Sequence, residues 1–282
     1  MNPKREAAMG LLFLLTACAS IGAVALICVY LFATGIPTIL EIGPANFFGR
    51  IWRPGQGQYG IFPMIVGSLY VTAGAAVLGL PLGLLCAVYL SHYCPKGLYR
   101  VLKPAVSLLA GIPSIVYGFF GLLVLVPAIQ RLTGSSGKGL LTASLLLGLM
   151  ILPTMIDLSE TALRAVPESC YQGALALGAT HERSVFCAVL PAASSGVLSG
   201  AILGVGRAIG ETMAVIMIAG NQAIMPAGLL HGLRTMTANI VLEMGYASGL
   251  HRQALIATGV VLFVFILLIN ACFSMLKRRQ TP

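Results

Sequence analysis

Arg207 and Glu211 stand four residues apart in a stretch, 193–220, that carries no other charge. On insertion scales a charge at the centre of a membrane helix costs roughly 2.5–3.5 kcal/mol, and such residues are rarely kept without a role. At 100° per residue, Gly196, Gly200, Gly204, Arg207, Glu211 and Ala214 fall within about 80° of one another on a helix. Val197, Leu198, Ile202, Val205, Ile209 and Ile216 form the opposite, bulky face. One face is thus a glycine groove leading to two charges. Glycines at this spacing let a second backbone approach closely, or leave room for a small solute. Two readings follow for the charges. An Arg and a Glu at i, i+4 can pair along the helix and lock neighbours together. Alternatively, Arg207 is a station on an anion path, its planar fork suited to phosphate. Glu211 would then hold Arg207 in place and limit the grip on the anion, or accept the proton of hydrogen phosphate, a bond that ionised sulfate cannot donate.

Such a station needs a membrane around it, and the composition supplies one. The 282 residues include 17 Lys+Arg and 8 Asp+Glu, so 9% are charged, with 58% hydrophobic and a mean hydropathy of +0.94. A soluble domain has roughly 25% charged residues, and this chain has too few to cover a soluble surface. A soluble enzyme, a disordered chain, a collagen and a disulfide scaffold are excluded, and a multi-pass membrane protein remains. The net charge of +9 reports loop orientation in such a protein, so no nucleic acid partner is expected and the surrounding partner is membrane lipid. The charge-free gaps predict spans near 10–33, 64–90, 105–129, 139–156 and 253–275, with 193–220 as a sixth. The fold class is all-α, with six transmembrane helices.

An even number of spans puts both termini on one side. With both inside, Lys4, Arg5, Lys96, Arg100, Lys103, Arg164, Arg183, Lys277, Arg278 and Arg279 are cytoplasmic. Only Arg50, Arg53, Arg131, Lys138, Arg234 and Arg252 lie outside, which satisfies the positive-inside rule. These six, against Glu41 and Glu243, would make a cationic mouth that gathers anions. None of the seven cysteines falls in an outside loop or in a CxxC pair, against both disulfides and a cysteine zinc site. Leu15-Thr16-Ala17-Cys18 has the look of a lipoprotein box, but the apolar run continues far past a signal-peptide core, so it reads as the first span.

The segment 157–191 is the long inside loop. It is polar, with Asp157, Glu160, Arg164, Glu168, Glu182 and Arg183, yet reads as helix. Pro167 suits a first helical position and Glu168 a first turn; Gly178 stops the helix and Thr180 caps the next. A short helix near 168–178, tied at both ends to membrane helices, is a docking surface. Its residues Gln172-Gly173-Ala174, then Gly178, then Leu190-Pro191, resemble the EAA loop of ABC-importer permeases, whose coupling helix sits in a groove of an ATP-hydrolysing subunit. Gln172 stands where the family has Glu, keeping hydrogen bonding without the charge, and Ala188 replaces the usual Ile.

The resemblance extends to Gly111-Ile112-Pro113-Ser114-Ile115-Val116-Tyr117-Gly118 and to the string from Gly206 to Val215, which are similar to the PstC-type permeases of phosphate-specific ABC transporters. It implies the type I importer (MetI-like) architecture with a cytoplasmic coupling helix, in a bacterial cytoplasmic membrane. It divides the chain into an N-terminal helix and first outside loop (1–59), a permease core (60–276) and a basic tail (277–282). It implies Arg207, Glu211, Gly204, Thr212 and Ser114 along the substrate path, and Gln172, Gly173, Ala174, Gly178, Leu190 and Pro191 at the ATPase. The implied partners are a PstA-type second permease, a PstB-type ATPase dimer that binds ATP and magnesium, and a PstS-type phosphate-binding protein; no cofactor is expected on this chain. A permease for sulfate or molybdate, and a stand-alone channel, are the competing readings; a channel would need no ATPase dock.

Other motifs point away from enzyme chemistry. Gly134–Gly139 lacks the spacing of a Walker A loop, and Gly204-Val205-Gly206 is followed by Gly210, one residue late for a dinucleotide fingerprint. His92, His181, His231 and His251 fall in predicted loops, far apart, which argues against an intramembrane Ser–His protease. Pro81, Pro113 and Pro153 lie within spans as kinks or breaks. The last outside loop, Ala223–His251, is apolar enough for a helix on the membrane surface or against a binding protein.

Overall fold

A computed structural model describes residues 3–280, with side chains from Met9 to Met275. The basic side chains expected to mark the cytoplasmic termini, Lys4, Arg5, Lys277, Arg278 and Arg279, lie outside the described residues, as does the end of the tail. α1 (Pro3–Ile42) leads through the short α2 (Pro44–Phe47) into a two-stranded hairpin, β1 (Trp52–Arg53) and β2 (Gln58–Tyr59), antiparallel with Trp52 opposite Tyr59. α3 (Phe62–Val88) ends in a π turn to Tyr93 and is followed by α4 (Lys96–Gly111). α5 (Ser114–Phe120) runs through a second π turn into α6 (Val126–Thr133). Then come α7 (Leu140–Arg164), α8 (Glu168–Ala176) and α9 (His181–Ser184), and after a third π turn α10 (Leu190–Ala192). α11 (Ser194–Gly210), α12 (Met213–Ile218), α13 (Met236–Met244) and α14 (Gly249–Gln280) complete the chain.

Five helical stretches are long and apolar enough to span a membrane, and His181–Ala192 with Ser194–Gly210, bent by 70°, makes a sixth. The six predicted spans are therefore present, with different edges. The third begins at Ser114, because Pro113 drives Ile112 into an extended conformation (ψ 127°) and separates α4 from α5. Residues 105–111 belong to α4, which carries no buried residue. The fourth is longer than predicted: α7 runs through Asp157 and Glu160 to Arg164, which are membrane-helix residues rather than loop. Pro81 and Pro153 are absorbed inside α3 and α7; of the three span prolines only Pro113 stands at a break.

α7 is the centre. Ala143, Leu146, Leu147, Met150, Ile151 and Met155 are buried, packed between α3 on one side and α11 on the other. α1 lies on α14, where Phe32 meets Phe263 edge-on with ring centroids 5.7 Å apart. α5 crosses α12 at Gly118. A Cβ at Gly118 would stand 2.9 Å from the Ala214 Cα and 2.8 Å from the Met217 sulfur.

That crossing yields a direct test. Gly118→Val must force α5 and α12 apart, and overpacking of this kind costs about 1–3 kcal/mol. We expect a lowered melting temperature in detergent, while Gly111→Ala, in open space, stays at the wild-type value; equal melting of the two variants refutes the close crossing.

Candidate functional site

The sequence treats 193–220 as one helix, and here the structure differs. α11 stops at Gly210, Glu211 is extended (φ −68°, ψ 131°), and α12 starts at Met213. No proline causes this break. Side chains compensate for the lost helical bonds instead: Glu211 Oε1 accepts the Ala214 N–H at 3.1 Å and the Thr212 hydroxyl donates to the Gly210 carbonyl at 3.1 Å. Thr237 Oγ1 donates to the Glu211 carbonyl at 3.1 Å from α13.

The break sends Arg207 and Glu211 to different tasks. Glu211 caps α12. Arg207, in the last turn of α11, places Nη1 3.4 Å from Thr154 Oγ1 on α7. Among the described residues no carboxylate pairs with Arg207. The i, i+4 pair that the sequence allows is therefore absent, and the guanidinium keeps most of its donors for something else. Ser114 opens α5 directly after Pro113, one turn before Gly118, where α5 packs on Ala214 of α12. Each of the two crossing helices thus starts just after a break, Ser114 following the one at Pro113 and Thr212 lying in the one after α11. Tyr117 seals the α4 side, its hydroxyl donating to the Leu109 carbonyl at 2.9 Å.

The glycine groove has an occupant. Gly196 faces Ala162, Gly200 faces Leu158 and Ser159, and Gly204 is buried against Ile151 and Leu80. The glycines serve the close approach of α11 to α7, and Gly204 packs there.

The docking segment forms as its capping residues require. α8 ends in a Schellman motif: Gly178, at φ +83°, donates to the Leu175 carbonyl at 2.9 Å and Ala179 to the Ala174 carbonyl at 3.1 Å. Pro167 is the residue before the helix rather than its first member. Thr180 caps α9 by accepting the Arg183 N–H at 3.4 Å. Gln172 donates to Glu168 at 3.0 Å on the exposed face, and Gly173 sits beside it with open space around it. Leu177 is 92% exposed, a large apolar side chain offered outward. Ala174, Gly178, Arg183 and Ala188 line a shallow cavity of about 470 Å³ beside it. Leu190 seats against the cluster of Val88, Leu163, Val185 and Val189, while Pro191 is exposed at the start of α10.

Two buried ionic hubs escaped the sequence reading. At the α8 end, Glu160, 2% exposed, accepts from Lys103 at 2.7 Å, Arg164 at 2.8 Å and Tyr99 at 2.7 Å, and Lys103 also reaches Asp157 at 2.7 Å. Burial works against the Lys103 charge, but the bonds to Asp157 and Glu160 outweigh it and hold its pKa above the ordinary lysine value. The bond to Glu160 likewise pushes the Tyr99 hydroxyl up. At the opposite end, Glu243 accepts from Arg234 at 2.6 Å, pairs with His251 at 2.8 Å, and receives the Trp52 indole N–H at 3.1 and 3.0 Å. Arg234 is therefore no free charge of a cationic mouth. α13, which carries Glu243, has Met236, Thr237, Ala238 and Asn239 buried, so it is not a helix lying on a membrane surface. The histidines are also less scattered than their spacing suggests. His251 opens α14, and His92 and His181 both approach Tyr171, whose hydroxyl lies 2.7 Å from His181 Nδ1. The visible signal in the sequence was sign alternation at a span end, Lys103 against Asp157 and Glu160; the spacing alone could not show that α4 folds back onto α7.

A long, broken apolar helix pair, an exposed capped helix between two spans, and an arginine with no acid partner among the described residues fit a membrane transport subunit. Residues 79–282 match the family described as binding-protein-dependent transport system inner membrane component. The chain belongs to that family and is a multi-pass inner-membrane protein, a transport component rather than an enzyme. It is 37% identical over 278 residues to the probable ABC transporter permease protein YqgH of Bacillus subtilis (strain 168), covering 94% of this chain and 90% of that one. It is 33% identical to the phosphate transport system permease protein PstC of Mesorhizobium japonicum, with 87% and 81% covered, and 34% identical to that of Haemophilus influenzae, with 86% and 84% covered. In fold it matches a chain of the inward-facing MetNI methionine ABC transporter (TM-score 0.65, 22% identity, 82% of this chain and 100% of that one). It also matches a chain of a bacterial alginate ABC transporter (TM-score 0.68, 14% identity, 99% and 97% covered).

The Glu160 hub makes a ranked prediction. Removing a buried partner strands the opposite charges and costs about 3–5 kcal/mol, so Glu160→Ala should melt far below wild type. Asp157→Asn, at a more exposed pair, should cost under about 1 kcal/mol. Thermal unfolding in detergent checks the order, and equal shifts would contradict the hub.

Proposed function

We propose that this chain is the permease subunit of an ATP-driven importer of inorganic phosphate. It forms one half of the channel beside a PstA-type permease, with a PstB-type ATPase pair below and a PstS-type binding protein above. The single observation that carries the substrate is the Arg207 guanidinium, held between α11 and α7 with no carboxylate partner. An unpaired cation in an apolar interior is costly, and an anion passing through relieves that cost. Glu211 accepts the Ala214 N–H and forms no ion pair with Arg207 among the described residues. The relatives named as phosphate permeases support phosphate over other oxyanions.

The positive-inside count supports an orientation with both termini and α8 in the cytoplasm. ATP and magnesium belong to the partner ATPase, and the chain's own cofactor complement is none. The chain connectivity supports a coupling route. α8 leads through α9 and α10 to the 70° bend before α11, and α11 carries Arg207 in its last turn before ending at Gly210. Movement of α8 with the ATPases therefore reaches the station through one bent helix. In the domain division we favour, residues 1–59 are an N-terminal addition, 60–276 the permease core with its coupling segment 157–191, and 277–282 the tail.

A second reading, another oxyanion such as sulfate, differs in the proton that hydrogen phosphate carries. The free oxygen of Glu211 would accept that proton, and sulfate offers none. Arg207→Ala in the assembled transporter should lower phosphate uptake by at least about tenfold, the value of a lost charge-assisted contact, with the ATPase still co-purifying. Glu211→Gln should let sulfate compete for uptake. Wild-type uptake by Arg207→Ala removes the assignment of the station; unchanged selectivity in Glu211→Gln removes the proton-reading role.

A further inference from the structure

The segment between α12 and α14 is cross-linked by side-chain hydrogen bonds, and the Thr237 side chain connects it to the break. At the outer end, Glu243 is buried and gathers donors from three other places: Trp52 of the hairpin, Arg234 of the preceding loop and His251 of α14. Arg234 also donates to the Asn221 carbonyl at 3.0 Å through Nε and to Asn239 Oδ1 at 3.0 Å through Nη1. Buried ionic groups contribute little net stability, and their best-attested use is to fix one arrangement. Here they fix four segments to one another. The inner end of the block is the first turn of α13. Thr235 caps it, accepting the Ala238 N–H at 3.2 Å, and Met236 N–H donates to Ser68 Oγ on α3 at 2.9 Å. Thr237, 7% exposed, shares a hydrogen bond with Thr235 at 3.0 Å and reaches across to the Glu211 carbonyl at 3.1 Å.

We propose that Thr237 is a positioning residue for the Arg207 station, holding the Glu211–Thr212 break in place, with the Glu243 hub as the anchor that fixes where Thr237 stands. The proposal rests on the reading of Arg207 as part of the phosphate path. The hydroxyl touches no substrate. It sets the backbone of the one segment whose conformation decides whether α11 and α12 are two helices or one, and so where Arg207 and Thr212 point. Because Trp52 ties the outer hairpin to the same hub, a load on that hairpin from a docked binding protein is carried through Glu243, Arg234 and α13 to the break.

The test uses the whole transporter in proteoliposomes: this chain, its second permease, the ATPase pair and phosphate-loaded binding protein. Thr237→Val and Trp52→Phe should each lower the turnover of phosphate uptake about tenfold, the effect of one lost hydrogen bond of ordinary strength. Half-saturation by loaded binding protein should stay within about twofold, since binding itself is untouched. Thr237→Ser, which keeps the hydroxyl, should restore most of the turnover. Arg207→Ala is the reference. If it transports normally, the path reading fails. If it is inactive while Thr237→Val transports normally, the link fails and the path reading stands. Equal losses in Thr237→Val and Thr237→Ser make Thr237 a packing residue and overturn the proposal. Should Thr237→Val not assemble, Trp52→Phe decides, and normal turnover there overturns it.

Discussion

A backbone inside a lipid bilayer has no water to turn to, so every interruption of a helix must be repaired by groups from elsewhere in the chain. The fold follows from where it pays that cost. α11 gives up its helical bonds at Glu211 and recovers them through the Glu211 carboxylate, the Thr212 hydroxyl and Thr237. α4 and α5 part at Pro113, and Tyr117 folds back to the last turn of α4. These repairs are specific in a way that continuous helix is not, since each needs one particular side chain from one particular element. Both breaks lie at the starts of the two helices that cross at Gly118. Irregular backbone is expected to line a path rather than face lipid, which agrees with the path proposed around Arg207.

Charge is distributed on the same logic. The two buried carboxylates, Glu160 and Glu243, lie at opposite ends of the bundle, each surrounded by two or more donors. Between them Arg207 has a hydroxyl at 3.4 Å and, among the described residues, no acid partner. An ion pair at either end closes on itself and offers nothing to a passing anion. Glu211, four residues on, caps α12 instead of pairing with Arg207. Had α11 run on unbroken, Arg207 and Glu211 would share one face at pairing distance, and the arginine would be less available to the anion proposed for it. The broken helix is in this sense an electrostatic device as well as a structural one.

Much of this was legible in the residues, and the remainder was hidden for definite reasons. Spans show as charge-free gaps because lipid excludes charge. The coupling segment shows because Gly178 and Thr180 act through local bonds that the sequence itself carries. The end of α7 misread as loop because Asp157, Glu160 and Arg164 look solvated, and only the return of α4 with Tyr99 and Lys103 makes them a buried cluster. The break at Glu211 was invisible because no proline marks it; the partner that holds it, Thr237, lies 26 residues away. The glycine face was legible as a groove, but whether a solute or α7 fills it is a tertiary fact, and α7 fills it.

The placement of the two hubs also limits how the molecule can move. The Glu160 hub welds α4 to α7, and the Glu243 hub welds the hairpin, α13 and α14, so neither end is free to shear internally. Between them lie the packed core around α7 and three local irregularities: the 70° bend before α11, the break held by Thr237 and the glycine crossing at Gly118. On the proposed coupling, relative motion of the two ends is taken up at those irregularities, around Arg207. On the proposal that Arg207 is an anion station, that zone is where both ends meet, and force arriving at α8 from one side and at the hairpin from the other would act on a single arginine.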